Sequence, residues 1–182
     1  MVQMLAPPFP QTLNDFMEWE PTDGFKYEWF DDKLVQFTGM KKKQYYLYEV
    51  LNVLFFEKGY HQLGTFMAEP DVMLTARQLR RPDIAFFTKE QVQRGRQGED
   101  VIPAFVIEII SETDQAYAIE AKLIEYFKAG VAVVWHILPE QEVVYVYTSR
   151  QQVTICLNQD VCSAAPVLPD YTIRVDTLFA PA

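Results

Sequence analysis

The chain has 182 residues, 49% hydrophobic and 23% charged, a balance that suits one globular domain spanning 1–182 with a substantial core. Its net charge of −9 and isoelectric point near 4.7 weigh against a surface that binds nucleic acid throughout, because such binding rests on lysine and arginine neutralising phosphates. No apolar run reaches the roughly 18–20 residues of a membrane span, no basic-then-apolar leader opens the chain, and Cys156 and Cys162 lack zinc-type spacing, so a cytoplasmic protein with reduced thiols and no membrane contact is expected.

Residues 1–10 are apolar and proline-rich and read as an arm, flexible or exchanged between copies. Residues 12–19 suit a short helix capped by Thr12 or Asn14, with Phe16 inward. Residues 25–30 and 33–37 read as a hairpin turning at Asp31-Asp32. Over 42–58, Leu47, Val50, Leu51, Leu54 and Phe55 recur at helical spacing until Gly59. Residues 63–66 and 71–74 are short strands or one bent strand broken at Pro70. Asp83 opens a strand over 84–88, and the polar residues 89–100, with Gly95 and Gly98, read as an exposed loop or a frayed helical turn. Residues 104–110 are apolar except for Glu108, which implies a central strand buried on both faces. A second helix fits 111–129, ending at Gly130. Strands follow over 131–138, 142–147 and 152–156, then a turn at 166–170 and a docked segment at 171–179. The order implies an α/β or α+β fold, a mixed sheet with two main helices.

Three charged residues interrupt this apolar framework. Asp83 and Glu108 sit on neighbouring strands. On a wheel of about 100° per residue Lys122 lies about 40° from Tyr126 on the apolar side of its helix, whereas Glu120, Glu125 and Lys128 face water. Unpaired ions are costly to bury, so the group needs a reason. A structural ion pair between Glu108 and Lys122 is one, and a snorkelling lysine needs none. A divalent metal is another: two carboxylates and the Ile109 carbonyl are hard oxygen donors suited to Mg²⁺ or Mn²⁺, and the lysine could orient or deprotonate a water or stabilise phosphate charge.

The array Arg81-Pro82-Asp83, then Val106-Ile107-Glu108-Ile109-Ile110-Ser111, then Lys122-Leu123 with Tyr126 and Ala129-Gly130-Val131, resembles the PD-(D/E)XK nuclease superfamily. More narrowly it resembles a large bacterial family of restriction-endonuclease-like proteins catalogued as a domain of unknown function. Tyr27-Glu28 with Asp31 and Leu34-Val35, and Leu168-Pro169 to Leu178-Phe179, extend the likeness over most of the chain. The resemblance implies a restriction-endonuclease-like core, a central mixed sheet flanked by helices, with the N-terminal hairpin as an extension. It implies Asp83 and Glu108 as metal ligands, beside which the Ile109 carbonyl could add an oxygen, Lys122 as a catalytic lysine moved from strand to helix, Glu28 as an accessory acid, and DNA as substrate. Ile110 occupies the usual lysine position.

The chain departs from the family pattern at Gln44, where a histidine is common, at Ala118, where an aspartate is common, at Glu112 in place of proline, and at Leu138-Pro139 in place of Asp-Pro. Lys41-Lys42-Lys43, Arg77 with Arg80 and Arg81, and Arg94 with Arg96 are basic clusters that either touch a ligand or are solvated surface. His61 reads as a surface residue and His136 as a satisfied core histidine. Tyr45, Tyr46 and Tyr48 suit a homodimer contact or base stacking. Two main functions follow from these residues and the resemblance, and a small-molecule or nucleotide hydrolase stays open because the metal chemistry does not require a polymer. One is a metal-dependent endonuclease hydrolysing DNA phosphodiester bonds. The other is a nuclease-like fold without activity, serving as a homo-oligomeric binding or assembly module.

Overall fold

The computed structural model describes residues 9–37, 39, 42–112 and 114–180. The expected arm lies outside them except for Phe9 and Pro10. Thr12, not Asn14, caps helix α1 (Leu13–Glu18): its hydroxyl accepts from the Asp15 amide while the Asp15 carboxylate accepts from the Thr12 amide, a reciprocal capping box. Strands β1 (Lys26–Phe30) and β2 (Lys33–Phe37) pair antiparallel. Asp31 and Asp32 both take positive φ, 47° and 59°, the backbone a two-residue hairpin requires and one that aspartate tolerates.

Helix α2 (Lys42–Glu57) follows, and Gly59, at φ 77°, turns the chain into a short 3₁₀ segment (Tyr60–Gln62). Next come β3 (Gly64–Ala68), β4 (Val72–Thr75), β5 (Gln78–Arg80), β6 (Ile84–Thr88), α3 (Lys89–Arg96), β7 (Phe105–Ile109) and α4 (Ala116–Ala129). The remainder is β8 (Val133–Leu138), β9 (Val143–Ser149), β10 (Gln152–Leu157), β11 (Val161–Ala164), β12 (Leu168–Arg174) and α5 (Val175–Leu178).

Six strands form the central sheet in the order β10-β9-β8-β7-β6-β3. Only β7 and β8 run parallel, joined by the α4 crossover, so the sheet is mixed as the apolar β7 run requires. Phe105, Ile107 and Ile109 of β7 point to one face, with Trp135 and Ile137 of β8, and meet Leu47, Leu51 and Phe55 of α2 and Tyr171 of β12. The Tyr171 hydroxyl donates to the Leu51 carbonyl at 2.7 Å, tying strand to helix. Burying a side chain such as Leu51 contributes about 1.5–3 kcal/mol. Val106 and Val134 point to the other face, beneath Leu123 and Tyr126 of α4 and Val72 and Leu74 of β4. Strand alternation puts Glu108 and His136 on this second face, two residues beyond those valines.

A second sheet, ordered β2-β1-β5-β4, packs Tyr27, Trp29 and Leu79 against Phe16 of α1. The hairpin extends the core as part of this four-stranded sheet, paired through β1 to β5. Some boundaries differ from expectation. Residues 89–96 are a helix, because Thr88 and Gln91 form a capping box that outweighs the polar, glycine-containing composition. Helix α4 begins at Ala116 and not at Ser111: the Asp114 carboxylate accepts from the Ser111 amide at 2.7 Å, and Gln115 is extended. The two strands around Pro70 belong to different sheets, and β5 and β11 were not expected.

Candidate active site

The second face of the central sheet ends in a cleft of about 550 Å³ between the β1–β2 hairpin and α4. Glu28, Arg80, Asp83, Glu108, Ile109 and Lys122 all line it. Ile84 pairs with Ile107 across β6 and β7, which leaves Asp83 and Glu108 side by side one residue further on. The Asp83 carboxylate Oδ2 accepts from the Ile109 amide at 2.6 Å. The Ile109 carbonyl in turn accepts from Gln44 Nε2 at 2.8 Å, so α2 reaches the site through the residue that replaces the family's histidine.

Lys122 points inward, as the helical wheel predicts, and only 22% of its side chain is exposed. Its ammonium lies 2.8 Å from Glu28 Oε1 and 3.7 Å from Glu108 Oε1. Glu28 is fully buried, not a surface glutamate, and also takes Arg80 Nη1 at 2.9 Å and the Arg81 amide at 3.0 Å. Arg80 spends its other face on Glu125, with Nε to Oε2 at 2.8 Å and Nη2 to Oε1 at 3.1 Å. Glu125 therefore joins the network instead of facing water as the wheel suggests. The Tyr126 hydroxyl donates to Glu108 Oε1 at 2.5 Å.

The charges act on one another. Burial and then repulsion from Glu108 push the Asp83 carboxyl well above the usual aspartate range. Burial likewise raises Glu108, against the pull of Lys122 and the Tyr126 hydrogen bond. Burial disfavours the Lys122 ammonium, but Glu108 and Glu28 outweigh it and hold the lysine charged, above its ordinary pKa. Burial also opposes ionised Glu28, yet Lys122 and Arg80 carry it below the usual glutamate range. A lysine held this firmly as a cation stabilises or orients negative charge.

Sequence reasoning brings together Asp83, Glu108, Ile109, Lys122 and Glu28, and the structure places all five at this cleft. It does not identify Arg80 or Glu125, because a three-residue strand gives no readable period, nor the hydroxyl role of Tyr126, which reads as an apolar helix residue. His136 is buried beside Tyr147, with ring centroids 5.0 Å apart. It is not the satisfied histidine expected: among the described residues its Nε2 has no hydrogen-bond partner, and burial lowers its pKa to about 4, so it is neutral. Several arginines of the basic clusters are met by neighbouring carboxylates. Arg77 pairs with Asp31 and Asp32, Arg81 with Asp71, and Arg94 with Glu99. The cluster at 41–43 lies largely outside the described residues.

The profile of the Uma2 family, described as "Putative restriction endonuclease", matches residues 13–176. The chain belongs to the Uma2 family. A solved relative of this Uma2 chain is "a putative nuclease belonging to DUF820" from Anabaena variabilis, with a TM-score of 0.76 at 21% identity over 93% of this chain and 98% of that one. At that identity the likeness establishes a shared, nuclease-like fold. No curated protein matches the Uma2 chain in sequence. Restriction-endonuclease-like families are generally metal-dependent. Among the described residues no helix is long and apolar enough to cross a membrane.

Proposed function

We propose that the protein is a metal-dependent nuclease that hydrolyses DNA phosphodiester bonds at this cleft. The observation that carries the reading is a charge imbalance. Four buried or half-buried carboxylates, Glu28, Asp83, Glu108 and Glu125, face two cations, Arg80 and Lys122; burial and repulsion answer the deficit by raising the Asp83 and Glu108 carboxyls toward their protonated forms, and one divalent cation would balance it with both ionised. Among the described residues the hydrogen bonds fall on Oδ2 of Asp83 and Oε1 of Glu108, leaving Oδ1 and Oε2 for a cation. No set of three or more His, Cys, Asp or Glu side chains converges there among the described residues. The donor set is two carboxylates and the Ile109 carbonyl, completed by water and phosphate oxygens, which is the habit of Mg²⁺ and also suits Mn²⁺.

Bound there, the metal supplies Lewis-acid stabilisation and a more acidic water. The chain's own residues do the rest. Glu28 and Glu108 position the Lys122 ammonium to meet negative charge developing on the phosphate. Arg80 and the Arg81 amide fix Glu28 in turn. Gln44 orients the Ile109 carbonyl. The test is cleavage of plasmid and labelled oligonucleotides in Mg²⁺ or Mn²⁺. Asp83→Asn, Glu108→Gln and Lys122→Met are each expected to lose about a hundredfold or more in rate. Variants that cleave like the native protein would contradict the assignment.

A second reading has its own support. Lys122 stands nearer to Glu28 than to Glu108, and every cation lining the cleft among the described residues is paired. Such a network suits a nuclease-like fold retained as a homo-oligomeric binding module, with the charges structural. A native protein inactive on all substrates that still self-associates would favour it.

A further inference from the structure

The walls of the cleft say more about the substrate than its floor. Residues paired across β1 and β2 share a face, so Val35, opposite Glu28, and Phe37, opposite Lys26, project to the cleft side with Phe30. The Lys122 ammonium lies 5.6 Å from the centre of the Phe37 ring. Across the opening, in the first turn of α4, stands Tyr117. Tyr117 borders the cleft and is 87% exposed, more than any other large apolar residue among the described residues. Ala118 and Ala121 line the same helix face and keep the space beside it open. The site is thus a slot with aromatic rings along the hairpin wall, an exposed tyrosine at its mouth and the carboxylates at its base.

The slot offers little to a duplex. Double-stranded DNA carries one charge per about 1.7 Å of axis and is held by several free lysines and arginines. Here Arg80, Arg81 and Lys122 are each committed to carboxylates, Asp114 adds negative charge at the mouth, and the whole chain carries −9. A volume of about 550 Å³ is that of a small-ligand cleft, roughly 300–1,000 Å³, and accommodates one nucleotide. Aromatic stacking serves any base, and a single strand can present an unstacked base to such a slot where an intact duplex keeps its bases paired and stacked inside.

We propose that the cleft takes an unpaired nucleobase, stacked on Tyr117 beside the scissile phosphate, so that the substrate is single-stranded DNA or a strand end and not intact duplex. This rests on the nuclease reading and adds the substrate class to it. The test is fluorescence anisotropy of the full chain with Ca²⁺, using a labelled single-stranded 12-mer of DNA, the matched duplex and the matched RNA strand. The same strands are then assayed for cleavage in Mg²⁺. The single strand is expected to bind at least about tenfold tighter than the duplex. Tyr117→Ala, at an exposed helical position that tolerates alanine, should weaken it about five- to a hundredfold, and Tyr117→Trp should restore it. Tighter binding of RNA than of DNA, with equal dependence on Tyr117, would keep the stacking site but overturn the assignment of DNA as its substrate. Duplex bound as tightly as single strand, or binding indifferent to Tyr117→Ala, overturns the inference. If cleavage still depends on Asp83 in that case, the nuclease reading stands alone. Binding that depends on Tyr117 without cleavage that depends on Asp83 overturns the nuclease reading and leaves the slot a binding site.

Discussion

Glu28 is the residue on which the charges of the cleft converge. It is buried, it takes Arg80 and Lys122 together, and an amide of the following chain caps it. Removing one partner of a buried charge network leaves the others uncompensated and costs about 3–5 kcal/mol. Glu28→Gln should lose stability of that order in urea denaturation at neutral pH. The sign of its pH dependence follows from its lowered pKa, which persists although burial alone would raise it. Stability from such a group is present above its unfolded value and lost as pH falls through the folded value. The gap between native protein and variant should therefore narrow below the ordinary glutamate range, and a gap that widens in acid would sink the assignment. Single residues were legible in the sequence where burial and charge conflict, as at Glu108 within an apolar run or Lys122 on an apolar helix face. Arg80 was not legible, since it lies in a polar stretch and only the fold reveals that its surroundings are dry. Gln44 was visible solely as a departure from a family pattern, and its hydrogen bond to Ile109 spans 65 positions of sequence.

At the scale of elements, the parallel pair β7 and β8 with the α4 crossover carries two of the three proposed working side chains, and β6 presents the third. Close packing of β3 on β6 holds that edge in register. A Cβ at Gly64 would lie 2.1 Å from the Phe87 carbonyl oxygen and 2.7 Å from the Phe86 ring, whereas one at Gly95, inside α3, would meet only Val101 at 3.8 Å. The two alanine substitutions should thus have opposite signs. Gly64→Ala should destabilise by at least about 1–3 kcal/mol, and Gly95→Ala should stabilise by about 0.5–1 kcal/mol, both read by chemical denaturation. A neutral Gly64→Ala would contradict the register. The long helices and the buried strands were readable because their periods run for several turns or repeats. The short strands β5 and β11 were not, since three or four residues contain too little pattern. The start of α4 was misplaced because the Ser111–Asp114 turn resembles a helix cap in sequence.

Across the whole molecule, two sheets meet α4 around one cleft, and the most deeply buried ion pairs among the described residues lie there. The fold class followed from the order of elements, while the closure of the four-stranded sheet over the site depended on contacts between β1 and β5 that lie about fifty residues apart. The proposal of DNA cleavage belongs to this scale and rests on what the cleft binds. Calorimetric titration of Mg²⁺ and Mn²⁺ at low salt, with and without DNA, into native protein and into Asp83→Ala and Glu108→Ala tests that most directly. The account predicts one divalent ion per chain for the native protein and affinity at least about tenfold weaker for each variant. Native protein that binds neither ion even with DNA present, or variants that bind as well as native, would contradict it and make the network of Glu28, Glu108 and Lys122 a structural one.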